Sequence, residues 1–133
     1  MKTYSISEVA KHFDVAPHTL RYYDKEGLLP YVERTESGNR VFKDKDFARL
    51  QIVNCLKDTG VSIKQIKEYL VWCQIGDPSL ETRLQFMLEH KKNIQNQIDE
   101  LKKCTELIDF KIWYYETAIE AGTADIHKME KSS

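Results

Sequence analysis

From Leu80 onward the sequence keeps a strict seven-residue period. Leu80, Leu84, Met87, Lys91, Ile94, Ile98, Leu101, Thr105, Ile108, Ile112 and Tyr115 alternate spacings of four and three without a slip. Such a period predicts one long helix with a coiled-coil seam. A helix from Ser79 to about Ala118 spans ~60 Å at 1.5 Å per residue. It cannot bury its own seam, and no second long heptad segment exists in the chain to form an intramolecular hairpin. A second copy of the chain is the simplest partner. Lys91 and Thr105 are the polar seam positions, a type of residue that lowers stability and sets register.

The coil takes up much of the 133 residues. What precedes it can hold only one small domain. Tyr4 to Phe13 predicts a helix with a Ser5–Glu8 capping box and a Tyr4–Val9 staple. Ile6, Val9, Ala10 and Phe13 fall on one face of that helix. Asp14-Val15-Ala16 interrupts it. Pro17 suits the first position of a second helix, which runs to about Glu26 and stops at Gly27. Two short helices joined this way form a helix-turn-helix. Tyr31–Arg34 and Arg40–Phe42 flank Thr35-Glu36-Ser37-Gly38-Asn39, a pattern that predicts a hairpin, or wing. A third helix starts at Asp44 as its cap. It has apolar residues on two sides, Phe47, Leu50 and Val53 against Ala48, Ile52 and Cys55, and is expected to be sandwiched. A fourth starts at Ser62, with Ile63, Ile66, Tyr69 or Leu70, and Cys73 inward. Ser79 is expected to cap the long helix. The division expected is a winged helix-turn-helix domain over 1–76, a dimerisation helix over 79–118 and a flexible tail over 119–133.

Net charge is −1, with 9 Lys+Arg against 8 Asp+Glu in residues 1–50 and 11 against 13 in the rest. Any anion-binding face must therefore come from local placement. The second helix offers one. His18, Arg21, Tyr22 and Lys25 lie at i, i+3, i+4 and i+7, while Leu20 and Tyr23 point to the packing side. His18 and Thr19 sit in the first turn, the part of a recognition helix that enters a major groove. Arg21 can bind guanine edges or phosphates bidentately, and a tyrosine hydroxyl can hold a phosphate. Arg34 and Arg40 bracket the wing turn, where arginines reach phosphates or the minor groove. Lys57, near the end of the third helix, has no sequence signal beyond helix-dipole support.

The N-terminus lacks the apolar stretch of a signal peptide, and no apolar run approaches the ~18–20 residues of a membrane span. A cytoplasmic protein with no membrane partner is expected. The three cysteines, Cys55, Cys73 and Cys104, are widely spaced and contain no CxxC, which argues against a disulfide framework or a structural zinc site. No metal or cofactor is expected. No Cys–His–acid arrangement indicates an enzyme.

The order of capping box, helix-turn-helix, TLRYYDKEGLL, a wing with Arg34 and Ser37-Gly38-Asn39-Arg40-Val41-Phe42, FARLQIVNCLKDTGVSIKQIKEYL and a long coil resembles the MerR family of transcription regulators over roughly residues 3–118. The resemblance implies a mainly α fold, with a winged helix-turn-helix followed by a long helix forming an antiparallel coiled coil in a homodimer. It implies a double-stranded promoter as partner, with an over-long spacer that the activated dimer bends and untwists for RNA polymerase. It places DNA contacts at Arg21 and Tyr22 with Tyr23 nearby, at Arg34, Asn39 and Arg40 in the wing, and at Lys57. Asn39 and Phe42 stand where the family often has tyrosines.

The segment after the coil, AIEAGTADIHKMEKSS, has none of the paired cysteines of metal-sensing members, and 133 residues leave no room for an appended drug-binding domain. QIVNCLKDTGVS with IGDPSLETRLQFML is similar to the aldehyde- and thiol-stress (AdhR/NmlR-like) subgroup, whose reactive cysteine sits at the place of Cys55. On periodicity alone Cys55 reads as a small hydrophobe in a packed stripe. The resemblance makes it a sensor for a small electrophile or aldehyde, with Lys57 or Arg49 as nearby cations. The alternative is a winged-helix DNA-binding adaptor or repressor with no cysteine-based input.

Overall fold

The computed structural model describes residues 2–128. Helix α1 spans Ile6–His12, α2 Pro17–Lys25, α3 Asp44–Asp58, α4 Ile63–Ile75 and α5 Leu80–Ala121, with strands β1 Glu33–Arg34 and β2 Arg40–Val41 between α2 and α3. The chain divides into two compact units, one up to Phe86 and one from Met87. Among the described residues no helix is long and apolar enough to cross a membrane.

The first unit is built from short helices that each need a defined start and stop. Ser5 caps α1 by accepting from Glu8 N, and the Glu8 carboxylate accepts in return from Ser5 N. Chain reversal after α1 uses a Schellman arrangement: Val15 N donates to Ala10 O and Asp14 N to Lys11 O. The left-handed position is filled by Asp14, at φ 54°. Aspartate is one of the few side chains that tolerate this region. The end of α2 repeats the arrangement with Gly27 at φ 80°, Leu28 N donating to Tyr23 O and Gly27 N to Asp24 O. Leu28 and Leu29 are thereby turned inward and are fully buried.

The core of this unit gathers one face from every element. Val9 and Ala10 of α1, Leu20 and Tyr23 of α2, Phe42 just after β2, Leu50, Val53 and Leu56 of α3, and Ile66 and Leu70 of α4 are all buried. The wing pairs Glu33 with Val41 and Arg34 with Arg40 in antiparallel register. Its base is tied to the segment before α1 by an isolated bridge, Tyr4 N donating to Phe42 O at 2.8 Å and Phe42 N to Tyr4 O at 2.9 Å.

Several expectations change in detail. Lys43, not Asp44, occupies the cap of α3, and buried Asp46 reaches back to accept from Lys43 N at 2.9 Å. Asp44 instead accepts from the Tyr4 hydroxyl at 2.8 Å. Helix α3 is not sandwiched: Ala48 and Cys55 are exposed and Ile52 is half-buried. Leu50, Val53 and Leu56 are buried on one side of α3, and Ile52 lines a cavity with Tyr69, Leu70 and Cys73 of α4. Ser79 is buried and closes the end of α4, its hydroxyl 2.7 Å from Gly76 O with Trp72 O also in reach. The first turns of α5 belong with this unit, because Phe86 stacks on Tyr69 at 5.6 Å between ring centroids and meets Trp72 edge-on.

In the second unit the seam residues Ile98, Leu101, Ile108, Ile112 and Tyr115 are exposed in the protomer. The flexible tail expected over 119–133 is corrected for its described part. α5 continues to Ala121, and a short 3-10 turn over Ala124–His127 folds back. His127 is buried, stacked 4.1 Å from the Tyr114 ring centroid and 2.8 Å from Thr117 Oγ1. An aromatic surface at the end of α5 offers burial that polar composition does not reveal. Residues 129–133 of the expected tail lie outside the described residues.

The turn geometry sets a prediction. Asp14→Val places a β-branched residue at positive φ and should lower the stability of the unit by about 1–2 kcal/mol, read as a lower Tm. Asp14→Gly should melt at or above the wild type. Equal melting of all three proteins would remove the left-handed turn from the account.

Candidate nucleic-acid interface

α2 separates its neighbouring tyrosines. Tyr23 is 4% exposed and packs inward, while Tyr22 is 46% exposed. Burial raises the Tyr23 phenol above its ordinary value, with the Asp58 charge adding to this. His18, Arg21 and Lys25 are exposed beside Tyr22, and Thr19 is half-buried. The start of α2 has Pro17 in its first turn, no side-chain cap from Ala16 and no acidic residue there. Its helix dipole thus leaves a positive end beside the His18–Arg21 edge.

The wing is held against this helix by one carboxylate. Register places Arg34 directly across from Arg40, and like charges in that position repel. Asp24 resolves the repulsion by pairing with both, at 3.2 Å to Arg34 and 2.7 Å to Arg40. The Arg40 side chain is only 13% exposed and also donates to Val32 O. The Arg34 side chain is 49% exposed and donates to Gly38 O at 2.8 Å across the wing loop. The two wing arginines are therefore unequal. Arg40, expected as a DNA contact, is occupied as a brace in this structure, because the strand pleat turns its guanidinium toward Asp24. Arg34 keeps a solvent-facing edge.

Asn39 is exposed at the tip of the wing, with its backbone paired to Thr35. Phe42, the other departure from tyrosine, is fully buried and belongs to the core. At the wing base Lys43 Nζ lies 2.8 Å from Glu33, and this hydrogen bond holds the Glu33 carboxyl below its ordinary value.

Lys57 is half-buried near the end of α3 and Cys55 is exposed. Residues two apart on a helix point about 200° apart, so Lys57 does not share the Cys55 face. Arg49, the other cation considered for Cys55, lies with its guanidinium 5.5 Å from the Tyr31 ring centroid. Of the expected packed stripe, Ala48 and Cys55 are exposed, while Ile52 is half-buried and lines a cavity with residues of α4. Among the described residues no group of three or more His, Cys, Asp or Glu is placed to hold a metal ion.

Asp24 is the residue that sequence reasoning missed. A single acid inside RYYDKEG carries no periodic signal, and its partners lie ten and sixteen residues away.

An exposed basic and aromatic helix edge with a braced wing beside it defines a winged helix-turn-helix protein of the DNA-binding class. The family described as MerR HTH family regulatory protein matches residues 4–71. The chain is 43% identical over 121 residues to an HTH-type transcriptional regulator of Haemophilus influenzae, covering 91% of this chain and 90% of that one. It is 32% identical over 90 residues to the HTH-type transcriptional regulator AdhR of Bacillus subtilis, covering 68% of this chain and 64% of that one. Among solved structures it is similar to HiNmlR, a MerR family regulator lacking the sensor domain, bound to promoter DNA. That match has a TM-score of 0.84 and 42% identity, and covers 94% of this chain and 99% of that one. A MerR family regulator from Bacillus thuringiensis superposes with a TM-score of 0.79 at 35% identity, covering 84% of this chain and 97% of that one. The chain belongs to the MerR family of DNA-binding transcriptional regulators.

Neutralising the clasp should loosen the wing. Asp24→Asn is expected to weaken operator affinity by about tenfold, the scale of one charged hydrogen bond, and to speed amide exchange across β1 and β2. Fluorescence anisotropy at fixed salt and hydrogen exchange measure the two effects. Unchanged exchange in the wing would show that Asp24 does not hold it.

Proposed function

We propose that the chain acts as a homodimer on promoter DNA, joined by antiparallel pairing of the α5 seams. Each protomer presents the α2 edge, His18, Thr19, Arg21 and Tyr22 with Tyr23 behind it, to a major groove. Arg34 and Asn39 carry the wing onto adjacent phosphates, Arg40 keeps it in place, and Lys57 supplies a further cation from α3. The observation that carries this reading is the exposed α2 edge joined to the wing through Asp24. The DNA-bound relative, similar over nearly its whole length, supports it. Two such units set at a fixed spacing can bend and untwist a long promoter spacer, bringing its two elements into register for RNA polymerase and activating transcription.

The input is a small electrophile or aldehyde at Cys55. Its side chain is exposed on α3. Addition of the thiol to a carbonyl forms an S–C bond and moves the thiol proton to the carbonyl oxygen. The added bulk lies where a neighbouring surface would pack, and changes the angle between the two DNA-binding units.

Arg21→Ala should abolish operator binding in a mobility-shift assay while sedimentation still shows the dimer; loss of the dimer would mean the face is wrongly assigned. For the input, Cys55→Ala should lose aldehyde induction of a promoter fusion. Undiminished induction in that variant would overturn Cys55 as the sensor.

A further inference from the structure

The α5 seam has a symmetry that its heptad period does not require. Eleven seam positions run from Leu80 to Tyr115, and Ile98 is the sixth. Counted outward from Ile98, Ile94 matches Leu101, Lys91 matches Thr105, Met87 matches Ile108, Leu84 matches Ile112 and Leu80 matches Tyr115. Apolar residues fall opposite apolar ones, and the two polar residues fall opposite each other.

The polar pair is also complementary in its chemistry. Thr105 Oγ1 donates to Leu101 O at 3.0 Å. Its single proton is thereby used inside its own helix, and the oxygen is left as an acceptor. A lysine ammonium has three donors and no acceptor. Lys91 and Thr105 are both exposed in the protomer, and Ile98 and Leu101 between them are 46% and 68% exposed.

We propose that Lys91 and Thr105 choose the register of the dimer: each Lys91 ammonium donates to the partner's Thr105 hydroxyl oxygen in an antiparallel pairing centred on Ile98. The inference rests on the homodimer proposed above and adds the residues that set its register. The amount of buried surface does not choose it. Ile119 continues the seam and is 79% exposed, so sliding the helices by one heptad, with the twofold axis at Leu101, still gives eleven layers. In that slipped pairing Lys91 faces the partner's Ile112, and Thr105 faces the partner's Ile98. The opposite slip, with the axis at Ile94, sets Lys91 against the partner's Ile98 and Thr105 against the partner's Leu84. A parallel pairing in register sets Lys91 against the partner's Lys91, two like charges in one layer. Of these four pairings only the centred one gives the ammonium an acceptor, and an ammonium in an apolar layer without one is disfavoured. The centred pairing also brings Glu81 near the partner's Glu116, but exposed flanking charges count for little beside a seam contact. One heptad is about 10 Å of helix, so the choice of register sets how far apart the two DNA-binding units stand.

Disulfide trapping reads the register directly. Ile94, Ile98 and Leu101 are each replaced by cysteine in the full-length protein carrying Cys104→Ser. Disulfides between protomers are followed on non-reducing gels during air oxidation and identified by peptide mass spectrometry. A residue on the twofold axis faces its own copy. Ile98→Cys should therefore cross-link to itself about tenfold faster than Ile94→Cys or Leu101→Cys, the scale of one hydrogen bond to a charged group. Fastest trapping with Leu101→Cys or Ile94→Cys would reveal a slipped pair, and equal trapping with all three a parallel one; either overturns the proposal. Adding Lys91→Leu and Thr105→Leu should remove the choice, so that Leu101→Cys cross-links as fast as Ile98→Cys. A preference for Ile98→Cys that survives in this background would overturn Lys91 and Thr105 as its cause. Sedimentation of the reduced proteins separates the two readings: a monomer removes the homodimer and its register together, whereas a dimer trapped elsewhere removes the register alone.

Discussion

The first unit depends on reversing a short helix without leaving its last carbonyls unbonded. α1 and α2 end with the same pair of backbone bonds closing over one residue in the left-handed conformation. The turn after Asp14 sends α2 back across α1, so that Leu20 and Tyr23 meet Val9 and Ala10 in the core. The turn after α2 buries Leu28 and Leu29 and directs the chain into the wing. With the buried side of α2 fixed by these turns, its opposite side, carrying Arg21 and Tyr22, has no choice but to face solvent. The edge proposed to meet DNA is thus a consequence of how the helices are stopped as much as of which residues are polar.

A protein with net charge −1 binds a polyanion only by arranging its charges. Here the arrangement has a cost and a remedy. Two arginines face each other across the wing, a repulsive pair that also makes the wing basic. Asp24, projecting from the helix that carries Arg21 and Tyr22, neutralises the repulsion and thereby ties wing to helix. The more exposed arginine remains available, and the more buried one becomes structural. One carboxylate therefore sets both the geometry and the local charge of the interface.

The starts of α1, α2 and α4, the split between Tyr22 and Tyr23 and the wing were legible because each is local: a capping box, a wheel of four residues, a turn with Gly38. The division of labour between Arg34 and Arg40 was not, since it depends on strand register and on an acid from another element. The face of α3 holding Cys55 was read as packed because apolar residues recur along it. Periodicity reports that a face is apolar and says nothing of whether a neighbour covers it. The 3-10 turn over Ala124–His127 was hidden for a related reason: a short polar segment is ordered by what it lands on, here the ring of Tyr114.

The sequence by itself determined the family, the order of helices and wing, the heptad seam and the sides of α2, because backbone hydrogen bonding and side-chain periodicity act over a few residues. Only the tertiary structure decided which arginine is a brace, that Asp24 is the clasp, that Cys55 stands open, and that Ile52 shares a cavity with Tyr69 and Cys73. Those properties arise where separate elements meet. Contact across them depends on distance and burial in space, which no spacing along the chain encodes.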